Sequence, residues 1–185
     1  MLFRSTAQKP HPPIWMGAGS RDSIRAVAKR GYNLLLDQFA SFDAVAERIA
    51  IYKEAIKEFG FTYDPANVGV ARAFFVAKDA ADKEAALERR MEAQRRLEAI
   101  SSAPGTKNTA SIMAYSDTRE ASEESALYGN PDEIAAKCEK LHKLGVEFVL
   151  LNGGGVSGHA NESLRRFARE VMPAFVDKTQ MRDVG

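Results

Sequence analysis

The residues best suited to chemistry form a run of small side chains near the start of the chain. Gly17, Ala18, Gly19 and Ser20 follow a short apolar stretch and precede a helical pattern. Small residues let a ligand approach the backbone closely, and the N–H groups at a helix start attract anions. The run is therefore a candidate cofactor-binding turn for a phosphate group. A tight strand-to-helix turn in which Ser20 only caps the helix is the alternative.

The same turn also has features of a dinucleotide-binding fingerprint. Gly17 and Gly19 follow a predicted strand, and Asp37 follows the next one, where that fingerprint carries an acidic residue. The third glycine position, however, holds Asp22, whose negative charge would repel a pyrophosphate. We therefore favour the interpretation as a seat for a single phosphate.

Further candidates lie near the other end of the chain. Gly153–Gly155 end the last predicted strand, and the final loops of barrel enzymes often bind phosphate, but a flexible turn explains these glycines equally well. His159 follows and could donate a proton or contact a substrate, although an exposed loop histidine is the commoner outcome. His11 and His142 show no paired spacing, so we expect no metal site. No catalytic residue can be assigned from the sequence.

Positioning these residues requires a frame of alternating strands and helices. The hydrophobic patterns predict strands at 13–17, 32–36, 68–77 and 146–151, and helices at 22–30, 42–59, 79–100, 131–144 and 161–176. Residues 101–128 are rich in Ser, Thr, Ala and Gly without sustained periodicity. A segment of that length inside a compact domain is typical of a mobile loop or a lid.

The order of elements predicts an α/β fold with four parallel strand–helix units in a single domain over residues 1–185. Four units are half of a (β/α)8 TIM barrel, which needs roughly 250 residues when complete. We therefore expect the chain to be half of something larger. A small open sheet, complete in itself, is the alternative.

Composition narrows the range of partners. The formal net charge is +1, from 26 basic and 25 acidic residues, so no field favours nucleic acid or an anionic membrane. No apolar run approaches the roughly 20 residues that a membrane span needs. The single cysteine, Cys138, excludes internal disulfides and fits a cytoplasmic location.

Three segments together resemble one family of enzymes. They are residues 8–20, which read QKPHPPIWMGAGS, residues 129–134, which read GNPDEI, and residues 144–151, which read LGVEFVLL. In this order they are similar to the carboxyl-terminal half of bacterial luciferase-like flavin-dependent monooxygenases. The resemblance runs over most of the chain, from about residue 8 to residue 176.

The resemblance implies a (β/α)8 barrel, reduced FMN or a deazaflavin as cofactor, and dioxygen and a small organic substrate as reactants. It implies that residues 17–20 help to hold the flavin phosphate and that residues 101–128 cover the site. Much of the flavin-ring contact and many catalytic groups belong to the first four units of the family's barrel. We therefore expect a homo-oligomer or a complementing amino-terminal half. A non-catalytic half-barrel module that binds phosphate or flavin is the alternative function.

Overall fold

The computed structural model describes residues 11–101, 118–152 and 159–176. Its strands are β1 (Trp15–Gly17), β2 (Asn33–Leu36), β3 (Val68–Val76), β4 (Leu127–Gly129) and β5 (Phe148–Asn152). Its helices are α1 (Arg21–Lys29), α2 (Phe42–Glu58), α3 (Ala80–Ser101), α4 (Arg119–Ser125), α5 (Pro131–Lys143) and α6 (His159–Arg166). A π-helical turn (Phe167–Val171) and a 3-10 turn (Met172–Ala174) continue α6.

Every strand pair in the sheet is parallel. β1 pairs with β2, β2 with β3, and β3 with β5, while the short β4 pairs with the carboxyl end of β3. Helices connect the successive strands β1, β2 and β3, as parallel pairing requires. The predicted order of four strand–helix units is confirmed, and β4 is an additional strand.

Local capping signals in the sequence correctly predicted two helix starts. The Ser20 and Asn130 side chains each accept a hydrogen bond from the third helical residue's N–H, and that residue's side chain bonds back to the cap. Such reciprocal bonds satisfy two of the donors that a helix start leaves unpaired. The two helices begin four and two residues after the last residues of β1 and β4, so both helix starts lie at the carboxyl edge of the sheet.

The outer face of the sheet, which the helices cover, contains the main core. Leu34 of β2 and Val68 and Val70 of β3 are completely buried there. They pack with apolar residues of α1 and α2, including Ile24, Val27, Val45, Ile49 and Tyr52. Consecutive strands thus meet helices on this side, as the predicted parallel sheet requires.

The opposite, inner face of the sheet is largely exposed. Trp15 of β1 is 38% exposed, and Phe148 and Leu150 of β5 are 48% exposed. The Trp15 and Phe148 rings meet edge-to-face, 5.5 Å between centroids, across Gly69 of β3. Trp15 is partly exposed because no described helix covers this side of β1. The strands curve enough for side chains of β1 and β5 to touch.

The segment predicted to be irregular, residues 101–128, is partly regular. Its described part contains α4, which Thr118 caps by accepting a hydrogen bond from Ala121 N–H at 3.2 Å, and the first residues of β4. β4 forms because residues 74–76 at the end of β3 offer it a pairing partner. Residues 102–117 and Gly153–Gly155 lie outside the described residues, so the predictions made there stay predictions.

Candidate functional site at the carboxyl edge of the sheet

The small-residue turn lies between the carboxyl end of β1 and the start of α1. A methyl group added at Gly17 would meet no atom of the described residues within 4 Å, so this part of the chain leaves space beside Gly17. Ser20 Oγ is 2.9 Å from Ser23 Oγ and accepts from Ser23 N–H at 3.3 Å. The structure therefore gives Ser20 the capping role that was the alternative prediction, with open space next to Gly17.

The capping box leaves part of the helix start available to an anion. Ser20 N–H donates to Ser23 Oγ, and the first intrahelical bond runs from Ile24 N–H to Ser20. By helix geometry, the N–H groups of Arg21 and Asp22 have no acceptor inside α1. Both side chains are exposed and carry opposite charges beside the turn.

Asp37 does not have the environment that a ribose-binding carboxylate needs. Its Oδ1 accepts from the N–H groups of Phe39 and Ala40 at 2.8 and 3.1 Å. Its Oδ2 forms a 2.8 Å ion pair with Arg48, with both side chains largely buried. The carboxylate thus stabilises the loop between β2 and α2, residues 37–40, which argues against the dinucleotide fingerprint.

Two further arginines hold the same loop. Arg72 of β3 is fully buried, and its guanidinium donates to the carbonyl oxygens of Asp37 (3.2 Å) and Ala40 (2.9 Å). Arg90 of α3 is 8% exposed and donates to the carbonyl of Gln38 at 3.5 Å and to Ser125 Oγ at 3.2 Å. Burial lowers the pKa of Arg90. Both buried guanidinium groups therefore find acceptors within this chain, carbonyl oxygens for Arg72 and a carbonyl and a hydroxyl oxygen for Arg90.

One side-chain hydrogen bond crosses the mouth of the sheet. Asn152, the last residue of β5, donates from Nδ2 to Oε1 of Gln38 at 3.3 Å. β3 lies between β2 and β5, so this bond passes over the carboxyl end of β3. The loop after β1, the 37–40 loop and the end of β5 thus share the edge where barrel enzymes bind their ligands.

Charged side chains also join the helices beside this edge. Lys83 of α3 contacts Glu123 and Glu133 at 2.8 and 2.9 Å. Lys137 of α5 donates to the carbonyl oxygens of Glu123 and Ala126 at 2.6 and 2.7 Å, at the end of α4. Burial lowers the pKa of Lys137 to about 8, with Lys83 a smaller cause.

The remaining cysteine and histidine residues discussed from the sequence lie in different environments. Burial raises the pKa of Cys138 to about 11, and the residue packs with the apolar cluster around Phe74 and Ile134, as expected for an inert thiol. His142 is largely exposed, 3.6 Å from Glu147. The side chain of His159 lies outside what the structure describes. Within the described ranges, no group of three or more potential ligands could hold a metal ion, and no helix could span a membrane.

Comparison with known proteins gives a family match. The family model described as luciferase-like monooxygenase matches residues 2–147. A monooxygenase from Streptomyces bottropensis, RslO1, is similar in structure with a TM-score of 0.66 and 22% identity, over 94% of this chain and 51% of that one.

Two further solved structures similar to this chain contain different cofactors. One is the oxygenating constituent of 3,6-diketocamphane monooxygenase from Pseudomonas putida, in complex with FMN (TM-score 0.63, 20% identity, 89% of this chain and 49% of that one). The other is an F420-dependent secondary alcohol dehydrogenase with an F420–acetone adduct (TM-score 0.67, 16% identity, 91% of this chain and 50% of that one). The chain thus spans about half the length of the structures it matches. The likeness confirms the predicted half-barrel fold.

Proposed function

Because this chain belongs to the luciferase-like monooxygenase family, we propose that it forms the carboxyl-terminal half of a flavin-dependent oxidoreductase barrel. The proposed reaction inserts oxygen from dioxygen into a small organic substrate. Reduced flavin, when bound, supplies the electrons for that chemistry. Residues of this half bind and orient the cofactor, and no residue is assigned a catalytic proton transfer.

The observation that carries the proposal is the turn at residues 17–20. It joins the carboxyl end of β1 to the start of α1, where N–H groups without intrahelical acceptors attract an anion. The open space beside Gly17 permits close approach to the backbone. These features fit a flavin phosphate. In this proposal Ser20 acts mainly by capping α1, and Gly17, Ala18 and Gly19 provide the close backbone approach.

FMN is the first choice of cofactor, and a deazaflavin is the second. Structures similar to this chain were solved with either FMN or F420, and a phosphate seat suits both kinds of molecule. The proposal therefore commits to a flavin-type ring with a phosphorylated side chain. The covering role of residues 101–128 stays a sequence prediction.

Titration with FMN and riboflavin tests the phosphate seat. Riboflavin has the same ring but lacks the phosphate. A Gly17→Ala variant adds one methyl group to a space that the protein leaves open, so its fold should be unaffected. We expect it to weaken FMN binding about tenfold, the value of one lost phosphate contact, and riboflavin binding much less. Equal effects on both ligands, or no flavin binding by the unaltered chain, would contradict the proposal.

The exposed inner face favours a second candidate, a half-barrel module completed by another polypeptide. Trp15, Phe148 and Leu150 present apolar surface that a closed barrel would bury. Either a second copy or an amino-terminal half could cover it and pair with the outer edges of β1 and β5. Light scattering distinguishes a dimer from a chain of 20.3 kDa. The chain has a single cysteine, Cys138, and therefore no internal disulfide. Because this is typical of reducing compartments, the proposal includes a cytoplasmic location.

A further inference from the structure

The amide pair at the mouth of the sheet has the chemistry of a ligand contact. Gln38 is the second residue after β2, and Asn152 ends β5 on the same face as Phe148 and Leu150, because side chains alternate along a strand. Their 3.3 Å hydrogen bond joins two strands that are not neighbours in the sheet. The pair therefore faces the inner side of the half-barrel at its carboxyl edge.

The backbone that carries Gln38 is fixed from three directions. Arg48 of α2 holds the Asp37 carboxylate, Arg72 of β3 holds the carbonyls on either side of Gln38 and Phe39, and Arg90 of α3 holds the Gln38 carbonyl. Burying guanidinium groups is costly unless they are hydrogen-bonded. Fixing a four-residue loop in this way is typical of a side chain that must be held in place for binding.

We propose that Gln38 and Asn152 bind the pyrimidinedione edge of the flavin-type ring. That edge has an N–H between two carbonyl groups, and FMN and deazaflavins share it. An amide side chain has donors on its nitrogen and two acceptor lone pairs on its oxygen. Nε2 of Gln38 donates to a ring carbonyl, and Oδ1 of Asn152 accepts from the ring N–H. This inference rests on the proposed flavin function and assigns it a second point of contact.

The Gln38–Asn152 pair and the 17–20 turn have separate tasks. The turn contacts the phosphate through backbone N–H groups, whereas the pair contacts a neutral polar edge of the ring. Substitutions at the pair therefore weaken FMN and riboflavin binding alike. Substitutions at the turn weaken FMN binding alone.

The test uses the full chain and two isosteric variants. Gln38→Glu keeps the acceptor for Asn152 and removes the donor, and Asn152→Leu removes the acceptor for the ring N–H with little change in side-chain size. Asn67→Asp is the matched control, because Asn67 precedes β3 at the opposite edge of the sheet. We expect each variant at the pair to weaken FMN and riboflavin binding about tenfold in fluorescence titrations, and the control to change neither.

A methylated cofactor tests the contact without altering the protein. FMN methylated at ring position N3 cannot donate to Asn152, so the unaltered chain should bind it about tenfold more weakly than FMN. Asn152→Leu, which has no acceptor for the ring N–H, should show no such preference. If the chain binds FMN and methylated FMN equally, or if the variants bind as the control does, the inference is wrong and the proposed function stands. If the unaltered chain binds no flavin, both are wrong.

Discussion

The two faces of the sheet differ in what they contact. On the outer face, Leu34, Val68 and Val70 are completely buried beneath α1 and α2. On the inner face, Phe148 and Leu150 of β5 are nearly half exposed, although their residue types are equally apolar. Hydrophobic residues that no element of the described chain covers contribute little to folding. The difference indicates that the outer face provides most of the stability of the half-barrel, whereas the inner face leaves apolar side chains exposed.

The test with the largest expected effect on stability compares one leucine on each face. Leu34→Ala should lower the free energy of unfolding by about 3 kcal/mol, because it leaves a cavity in a closely packed core. Leu150→Ala should lower it by less than about 1 kcal/mol, since that side chain is 48% exposed. Urea unfolding followed by circular dichroism measures both. Equal losses would show that the inner face is also packed in solution.

A second test concerns the buried arginine. Arg72→Leu should cost roughly 2 kcal/mol, because the carbonyl oxygens of Asp37 and Ala40 lose a buried donor. The control is Arg25→Leu, which removes a solvent-accessible ion pair with Glu58 and should cost clearly less, because water screens exposed charges. Urea unfolding of the two variants gives the comparison. If Arg72→Leu lowers the free energy of unfolding no more than the control does, the hydrogen bonds of Arg72 do not stabilise the fold.

A pH titration of stability tests the half-buried amine of Lys137. Its pKa is lowered from 10.5 to about 8, so between these values the unfolded chain binds more protons than the folded one. Stability from this group therefore rises with pH across that window and is lost again as the pH falls towards 8.

The change to measure is the difference between the unaltered chain and Lys137→Met. From pH 8 to pH 10.5, the free energy of unfolding of the unaltered chain should rise by roughly 2 kcal/mol relative to that of Lys137→Met. This is less than the full pKa shift would give, because the amine is partly exposed to water. Lys143→Met, at a side chain 70% exposed, is the control. The pH-dependent gain should be absent there, and its absence from Lys137→Met as well would contradict the prediction.

The smallest expected effect is on the inner face itself. Phe148→Ser and Phe61→Ser remove rings of similar exposure, 48% and 46%, and should each change the unfolding free energy by less than about 1 kcal/mol. Trp15 is the chain's single tryptophan and meets the Phe148 ring at 5.5 Å. Its emission should therefore shift in Phe148→Ser and stay constant in Phe61→Ser. An unchanged spectrum in both would show that the rings do not meet.

Features with local causes could be predicted from the sequence. The caps at Ser20 and Asn130 depend on residues three positions apart, and the strand–helix order depends on patterns within single elements. The turn at residues 17–20 was correctly placed at a strand end for the same reason. Its ligand was not decided, because small residues and a serine suit a bare cap and a phosphate seat equally well.

Features with distant causes were missed. β4 forms only because residues 74–76 lie beside it, and the pattern of residues 127–129 carries no signal for that pairing. Arg48, Arg72 and Arg90 come from three separate elements, so their convergence on one loop is invisible in the linear chain. The exposure of Trp15 depends on which elements cover β1, and apolar neighbours in the sequence cannot show that.

The central position of β3 has a consequence for how the chain folds. β2, β4 and β5 all pair with this one strand, and β5 comes from a part of the sequence far beyond it. Parallel pairing over such a separation must close a long loop before it gains contacts, which slows folding. Assembly of β3 with β5 is thus the step that should limit the refolding rate, whereas β1 and β2 can join by shorter closures.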